Sequence, residues 1–94
     1  MIVLQIEHNV PSYEGWKKVF DSDPINRKRS GVKHYQIYRP TGDPNYVIIH
    51  LEFDDLSSAQ EALKSLQQLW PKVEGTVIVS PQTRILEVVE DEDL

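Results

Sequence analysis

Between Tyr46 and Phe53 the chain reads YVIIHLEF, and its alternate positions separate cleanly. Val47, Ile49, Leu51 and Phe53 form one wholly apolar row, while Tyr46, Ile48, His50 and Glu52 form a mixed one. Successive side chains of a strand point to opposite faces, so the apolar row predicts a face covered by helices. The stretch before it, His34 to Arg39, reads as a partner strand, and the Pro-, Gly- and Asp-rich run between them reads as a hairpin turn. Pairing Tyr38 with Tyr46 sets Gln36 opposite Ile48 and His34 opposite His50. Tyr35 and Ile37 then join the apolar row. A slip of one residue would bury Gln36 and His34, at about 1–3 kcal/mol for each group left unpaired. The first register is therefore the expected one.

The remaining elements follow from the same periodicities. Ile2, Leu4 and Ile6 alternate with Val3, Gln5 and Glu7, predicting a half-buried first strand that runs on towards Val10. Pro11-Ser12 breaks it and offers an N-cap, after which Tyr13, Trp16, Val19 and Phe20 fall on one helical stripe. Asp23-Pro24 interrupts that helix, and Ile25 to Arg29 form a further turn that Ser30-Gly31 ends. Asp54 to Ser58 leads into a second helix, with Ser57 and Gln60, or Ser58 and Glu61, spaced as a capping box. Ala59, Ala62, Leu63, Leu66, Leu69 and Trp70 keep its period; Pro71 stops it or starts a short turn, and Gly75 marks the exit. Thr83 to Val89 is the expected last main strand. Pro81 forbids one continuous central strand, which leaves Val77 to Val79 as an extended arm.

The resulting order, β-α-β-β-α-β, is a split βαβ arrangement: an α+β fold with a four-stranded antiparallel sheet and two helices on one face. The other face carries Val3, Ile48 and tyrosines among polar groups. Pairing with a second copy is the economical way to cover it, so the expected assembly is a homodimer.

Composition narrows the function classes. A chain of 94 residues fits one domain, taken here as residues 1–90, followed by an acidic tail at 91–94. A formal net charge of −5 speaks against general nucleic-acid binding, which needs surplus Lys and Arg. The basic run Arg27-Lys28-Arg29 has two readings, an anion contact or, the favoured one, a solvated helix end. The N-terminal apolar stretch is too short for a signal peptide and no run is long enough to span a bilayer. With no cysteine there is no thiolate chemistry and no disulfide, so the expected compartment is the cytoplasm.

The segments His8 to Asp21, Arg27 to Gly31, Tyr38-Arg39 and Asp43 to Val47 resemble small proteins of the dimeric α/β-barrel superfamily, which includes the antibiotic-biosynthesis-monooxygenase-like proteins. The resemblance covers the chain from first strand to last. It implies a ferredoxin-like protomer whose sheet packs on its twin to close an α/β barrel. It also implies that small molecules are held between sheet and helices or inside the barrel. Fold alone does not carry an activity across.

The three histidines are the natural candidates for a base or metal ligand. His34 and His50, facing each other with Glu52 two residues on, can hold a divalent ion in a facial arrangement. The favoured reading makes them hydrogen-bonded polar residues of a dimer interface, with no metal. His8, close in sequence to Tyr13 and Trp16, is either a base beside an aromatic wall or a residue that caps the helix or bonds to backbone. Tyr38 and Arg39 suit a carboxylate or phenolate, although Arg39 is equally placed to pair with Asp21, Asp43 or Asp54. Phosphate loops, dinucleotide fingerprints and nucleophile elbows are absent from the sequence.

Two functions remain. The favoured one is a cofactor-free dimeric module that binds a small molecule or serves assembly, with Tyr13, Trp16, His34, Tyr38, Arg39 and Glu52 as ligand contacts. The alternative is a cofactor-independent monooxygenase-like enzyme for aromatic or polyketide-type substrates, with His8 or His50 as base and Trp16 and Tyr38 as pocket walls.

Overall fold

A computed structural model describes residues 1–94. Strand β1 (Ile2–Asn9) leads to helix α1 (Tyr13–Asp21), then to the hairpin β2 (His34–Tyr38) and β3 (Tyr46–Phe53). Helix α2 (Leu56–Leu69) runs into a short 3-10 turn, Trp70–Lys72, before strand β4 (Val79–Glu87). The sheet order is β2-β3-β1-β4, with every neighbouring pair antiparallel. This is the ferredoxin-like βαββαβ arrangement expected from the sequence.

The strand parity is as expected. Val47, Ile49, Leu51 and Phe53 are buried against Leu4 and Ile6 of β1 and against Trp16, Ala59 and Ala62 of the helices. Phe53 is fully occluded, so truncating it would cost about 3–5 kcal/mol through lost transfer energy and the cavity left behind. The hairpin register, however, lies two residues from the expected one. Tyr38 pairs with Ile48, Gln36 with His50 and His34 with Glu52. Tyr46 instead belongs to the corner where β1 meets α1: it pairs with Asn9, and Asn45 beside it accepts from the Val10 amide at 2.8 Å and donates to the Val10 and Pro11 carbonyls. The turn closes farther out, where the Asp43 amide meets the Pro40 carbonyl at 3.0 Å and Gly42 takes a positive φ of 86°. A shift of two keeps each side chain on its face and changes only its partner.

Ser12 caps α1 by accepting from the Gly15 amide at 3.2 Å. The cap of α2 is Asp55, accepting from the Ser58 amide at 2.7 Å, rather than Ser57 or Ser58. An ionised carboxylate is a stronger acceptor for orphan amides than a hydroxyl, and that bond holds the Asp55 carboxyl below its usual range.

The end of the chain also departs from expectation. Strand β4 starts at Val79, includes Pro81 and stops at Glu87, so Val88 and Val89 lie beyond it. Pro81 is tolerated because β4 is an edge strand and because the register shifts between Glu7 and Asn9, where Ser80 takes a positive φ of 52°. A bulge at that point asks no ladder hydrogen bond of the proline. Ile78 is not part of an extended arm. It is buried and bridges back to Glu74, with the Gly75 amide donating to its carbonyl at 2.7 Å.

Candidate functional site

His8 is the one buried polar side chain in the chain, only 2 % exposed. It stands opposite Val47 on β1, and its parity therefore places it on the helix-covered face. Trp16 meets its ring edge-on at 6.0 Å between centroids. Its Nδ1 lies 3.1 Å from the Asn9 carbonyl oxygen. A carbonyl only accepts, so Nδ1 carries the proton and Nε2 presents a lone pair. Nε2 has no protein partner, yet no fully occluded side-chain polar atom is left unpaired, so it opens onto free space. Burial lowers the His8 pKa, with the Asn9 carbonyl and the Glu74 carboxylate pulling the other way. Burial thus favours the neutral imidazole, with Nε2 as an acceptor.

The space it meets is a cavity of ≈ 70 Å³ open to the centres of water-sized molecules, between the sheet and both helices. Of its 16 lining residues 13 are hydrophobic, which fits an apolar guest. Ile6, Ile49 and Leu51 form its floor; Trp16, Val19 and Phe20 come from α1, and Leu66, Leu69 and Trp70 from the end of α2. Val73, Val77 and Ile78, from the segment before β4, and Pro24, Ile25 and Arg27, from the loop after α1, complete the lining. Trp16 thus serves as a wall. Tyr13 stacks on it at 5.7 Å, outside the lining, and Arg39 lies 4.6 Å from the Tyr13 ring centre. Arg39 makes no ion pair with Asp21, Asp43 or Asp54; the aromatic face takes its place.

The other expected site residues lie across the sheet. His34 Nε2 is 3.7 Å from Glu52, Tyr38 donates to Gln36 Oε1 at 2.7 Å, and His50 Nε2 donates to Gln5 Oε1 at 2.9 Å. Tyr38 also meets His50 edge-on at 5.0 Å. His34 and His50 do not oppose each other, and no three His, Asp or Glu side chains come close enough to hold a metal ion. Tyr38 and Trp16 occupy opposite faces and do not wall one pocket. His8 and His50 are likewise separated by the sheet.

The sequence reading missed Arg27 as a cavity residue. Its guanidinium folds back 4.1 Å from the Phe20 ring centre and 5.0 Å from that of Tyr35, while Lys28 and Arg29 are exposed. It also missed Val73, Val77 and Ile78: Val73 stands alone between Lys72 and Glu74, and Val77 and Ile78 read as part of an extended arm.

These features define a class: a ferredoxin-like α+β protein with one open sheet face and an apolar cavity, holding one neutral base, on the other. No family model matches the chain, and no curated protein matches it. Solved structures share its fold. SnoaB, a cofactor-independent oxygenase from Streptomyces nogalater, superposes with a TM-score of 0.76 at 12 % identity over 96 % of this chain and 94 % of that one. A protein of unknown function from Nitrosomonas europaea gives 0.75 at 12 %, over 99 % and 93 %. A dimeric ferredoxin-like protein from an uncultured marine organism gives 0.66 at 14 %, over 97 % of each chain. The architecture is that of the antibiotic-biosynthesis-monooxygenase-like and dimeric ferredoxin-like proteins. At such identities the likeness is one of fold. No helix of the chain is long and apolar enough to cross a membrane.

Proposed function

We propose that this protein is a homodimeric, cytoplasmic small-molecule-binding protein that holds an apolar, hydroxyl-bearing guest in the cavity between sheet and helices. The observation that carries the reading is the unpartnered Nε2 of His8, the free nitrogen of a buried residue that opens into an apolar-walled cavity. An acceptor facing an apolar-walled cavity is satisfied there only by water or by a ligand that supplies the donor. A guest hydroxyl does so while its apolar body displaces water from the walls. Trp16 and His8 are the ligand contacts here; Tyr13 and Arg39 support Trp16 from outside. His34, Tyr38, His50 and Glu52 belong to the open face, which we assign to the dimer and to the closed barrel it would form. That assignment is supported by the description of fold relatives as dimeric and by Val3, Ile48 and Leu86 sharing the face. The domain takes in residues 1–90, and 91–94 serve as an acidic tail.

A second reading makes the same site catalytic. Its support is a neutral base beside an aromatic wall in a fold shared with a cofactor-independent oxygenase. His8 Nε2 would take the proton of a bound phenol. The resulting phenolate, electron-rich at its ring carbons, would add oxygen there as a hydroperoxide, whose loss of water leaves a quinone carbonyl, the substrate itself supplying the electrons.

The test is a titration of 2-naphthol and naphthalene followed by the two indole N–H resonances of Trp16 and Trp70. The module reading expects 2-naphthol to bind more tightly than naphthalene, His8→Leu to abolish the difference, and acidic phenols to give no oxygen uptake. Uptake that His8→Leu removes establishes the enzyme instead. Indole signals unmoved by either compound would sink both.

A further inference from the structure

Arg27 gives the cavity a charge that its apolar lining does not require. The loop after α1 is built to place it. Asn26 donates to the Asp23 carbonyl at 3.0 Å across Pro24-Ile25, and the Arg27 amide donates to Asp23 Oδ1 at 2.8 Å. Asp23 and Asn26 both take positive φ, 57° and 54°, a region these two residue types tolerate better than most. From this turn the Arg27 side chain runs back over α1. Its Nη1 donates to the Phe20 carbonyl at 2.6 Å, and its Cζ lies over the Phe20 ring, 4.1 Å from the centroid.

The side chain is 17 % exposed, and its remaining donors have no protein acceptor. Asp23 forms an ion pair with the guanidinium, 3.6 Å from Nε, but that is too far for a hydrogen bond and the same oxygen is engaged by the Arg27 amide, so the pair does not use the remaining Nη donors. A guanidinium restrained in this way keeps a free edge for a planar anion and has little rotamer freedom left to lose on binding. Its position fixes where that anion sits. The His8 ring of β1 and the Trp16 and Phe20 rings of α1 form a row, with centroid spacings of 6.0 and 5.2 Å, and Arg27 covers the far end of it. His8 lies at one end of the aromatic wall and Arg27 at the other.

We propose that the natural guest is an aromatic or otherwise apolar acid, whose anionic group is held by Arg27 at the cavity rim while its body lies along Trp16 and Phe20 towards His8. The neutral imidazole offers only a lone pair and repels the anion, so the guest has one orientation. This rests on the cavity being a ligand site, as read above, and adds the chemical class of the ligand.

The experiment compares 2-naphthoate with 2-naphthamide, of matched shape but different charge, titrated at neutral pH into the full chain. Binding is read from the Trp16 and Trp70 indole N–H signals, and contact from the Arg27 Nε–H signal. The expected result is naphthoate binding about fivefold more tightly, a modest value for a charge-assisted contact at a partly solvated rim. The Arg27→Met variant should bind the two compounds equally and keep its affinity for the amide. Equal affinities in the unsubstituted protein, or a preference that survives Arg27→Met, would overturn the proposal and leave the cavity reading intact. Indole signals moved by neither compound would overturn both. If Arg27→Met does not fold, the unsubstituted protein still decides: naphthoate must move the Arg27 Nε–H resonance and naphthamide must not, and any other pattern overturns the proposal.

Discussion

The Arg27 guanidinium lies across the ring of Phe20 and donates to the carbonyl of that same residue, 4.1 Å from ring centre to Cζ and 2.6 Å from Nη1 to oxygen. One side chain thus closes the C-terminal end of α1 and forms part of the cavity wall. Carbonyls at a helix end lack intrahelical donors, and a cation there also meets the negative end of the helix dipole. Tyr35 of β2 completes the arrangement, edge-on to Phe20 at 5.0 Å.

Phe20→Ala should remove the aromatic centre of this arrangement. Phe20 is half-buried, so the expected loss is about 2 kcal/mol, below the range for a fully occluded Phe. Urea unfolding measures it, and a change under about 0.5 kcal/mol, the scale of ordinary surface substitutions, would show that the stack does not contribute.

The lowered pKa of His8 sets a pH dependence. The unfolded imidazole titrates near 6.5, whereas burial in the fold holds its pKa lower. Between the two values the unfolded state binds more protons, so stability is full above about pH 6.5 and declines as pH falls towards the folded pKa. His8→Leu should remove this component from stability curves measured by denaturant at a series of pH values. A slope unchanged in the variant would assign the effect elsewhere.

Gly31 and Gly42 both hold positive φ, 96° and 86°, but only Gly31 is closely enclosed. A Cβ at Gly31 would meet Ser58 Cβ at 3.3 Å, while one at Gly42 has nothing within 4 Å. Gly42→Ala should therefore cost about 1 kcal/mol from backbone strain alone, and Gly31→Ala should cost more. Thermal unfolding of the two variants gives the order, and the reverse order would contradict the packing of the loop on α2.

Ile48 stands on the open face, with Glu7 and Tyr38 as its cross-strand neighbours. Ile48→Lys puts a charge where the proposed dimer would exclude water. The expected outcome is a folded monomer by native mass measurement and a dimer for the unsubstituted chain. A variant that remains dimeric would move the interface to another surface.

The sequence determined the elements and their faces, because both are local. The alternation in Tyr46–Phe53 placed Val47 to Phe53 under the helices, and the stripe from Tyr13 to Phe20 placed α1 over them. The cap at Ser12 and the stop after Trp70 were readable for the same reason, since each depends on residues within one helical turn. What the sequence left undecided involves partners distant along the chain. Parity fixes the face of a strand residue but not which residue it meets, so the tie from Asn45 to Val10 and Pro11 decided the hairpin register and set His34 against Glu52. For His8, parity with Ile2, Leu4 and Ile6 already gave the dry face; what the sequence left open was that Trp16 and the end of α2 would enclose it there, across the sheet from His50 and Tyr38. Arg27 read as a solvated cation because Arg27-Lys28-Arg29 is uniformly basic. The Asp23-to-Arg27 turn folds one of the three back over Phe20, a choice made by a tertiary contact and not by composition.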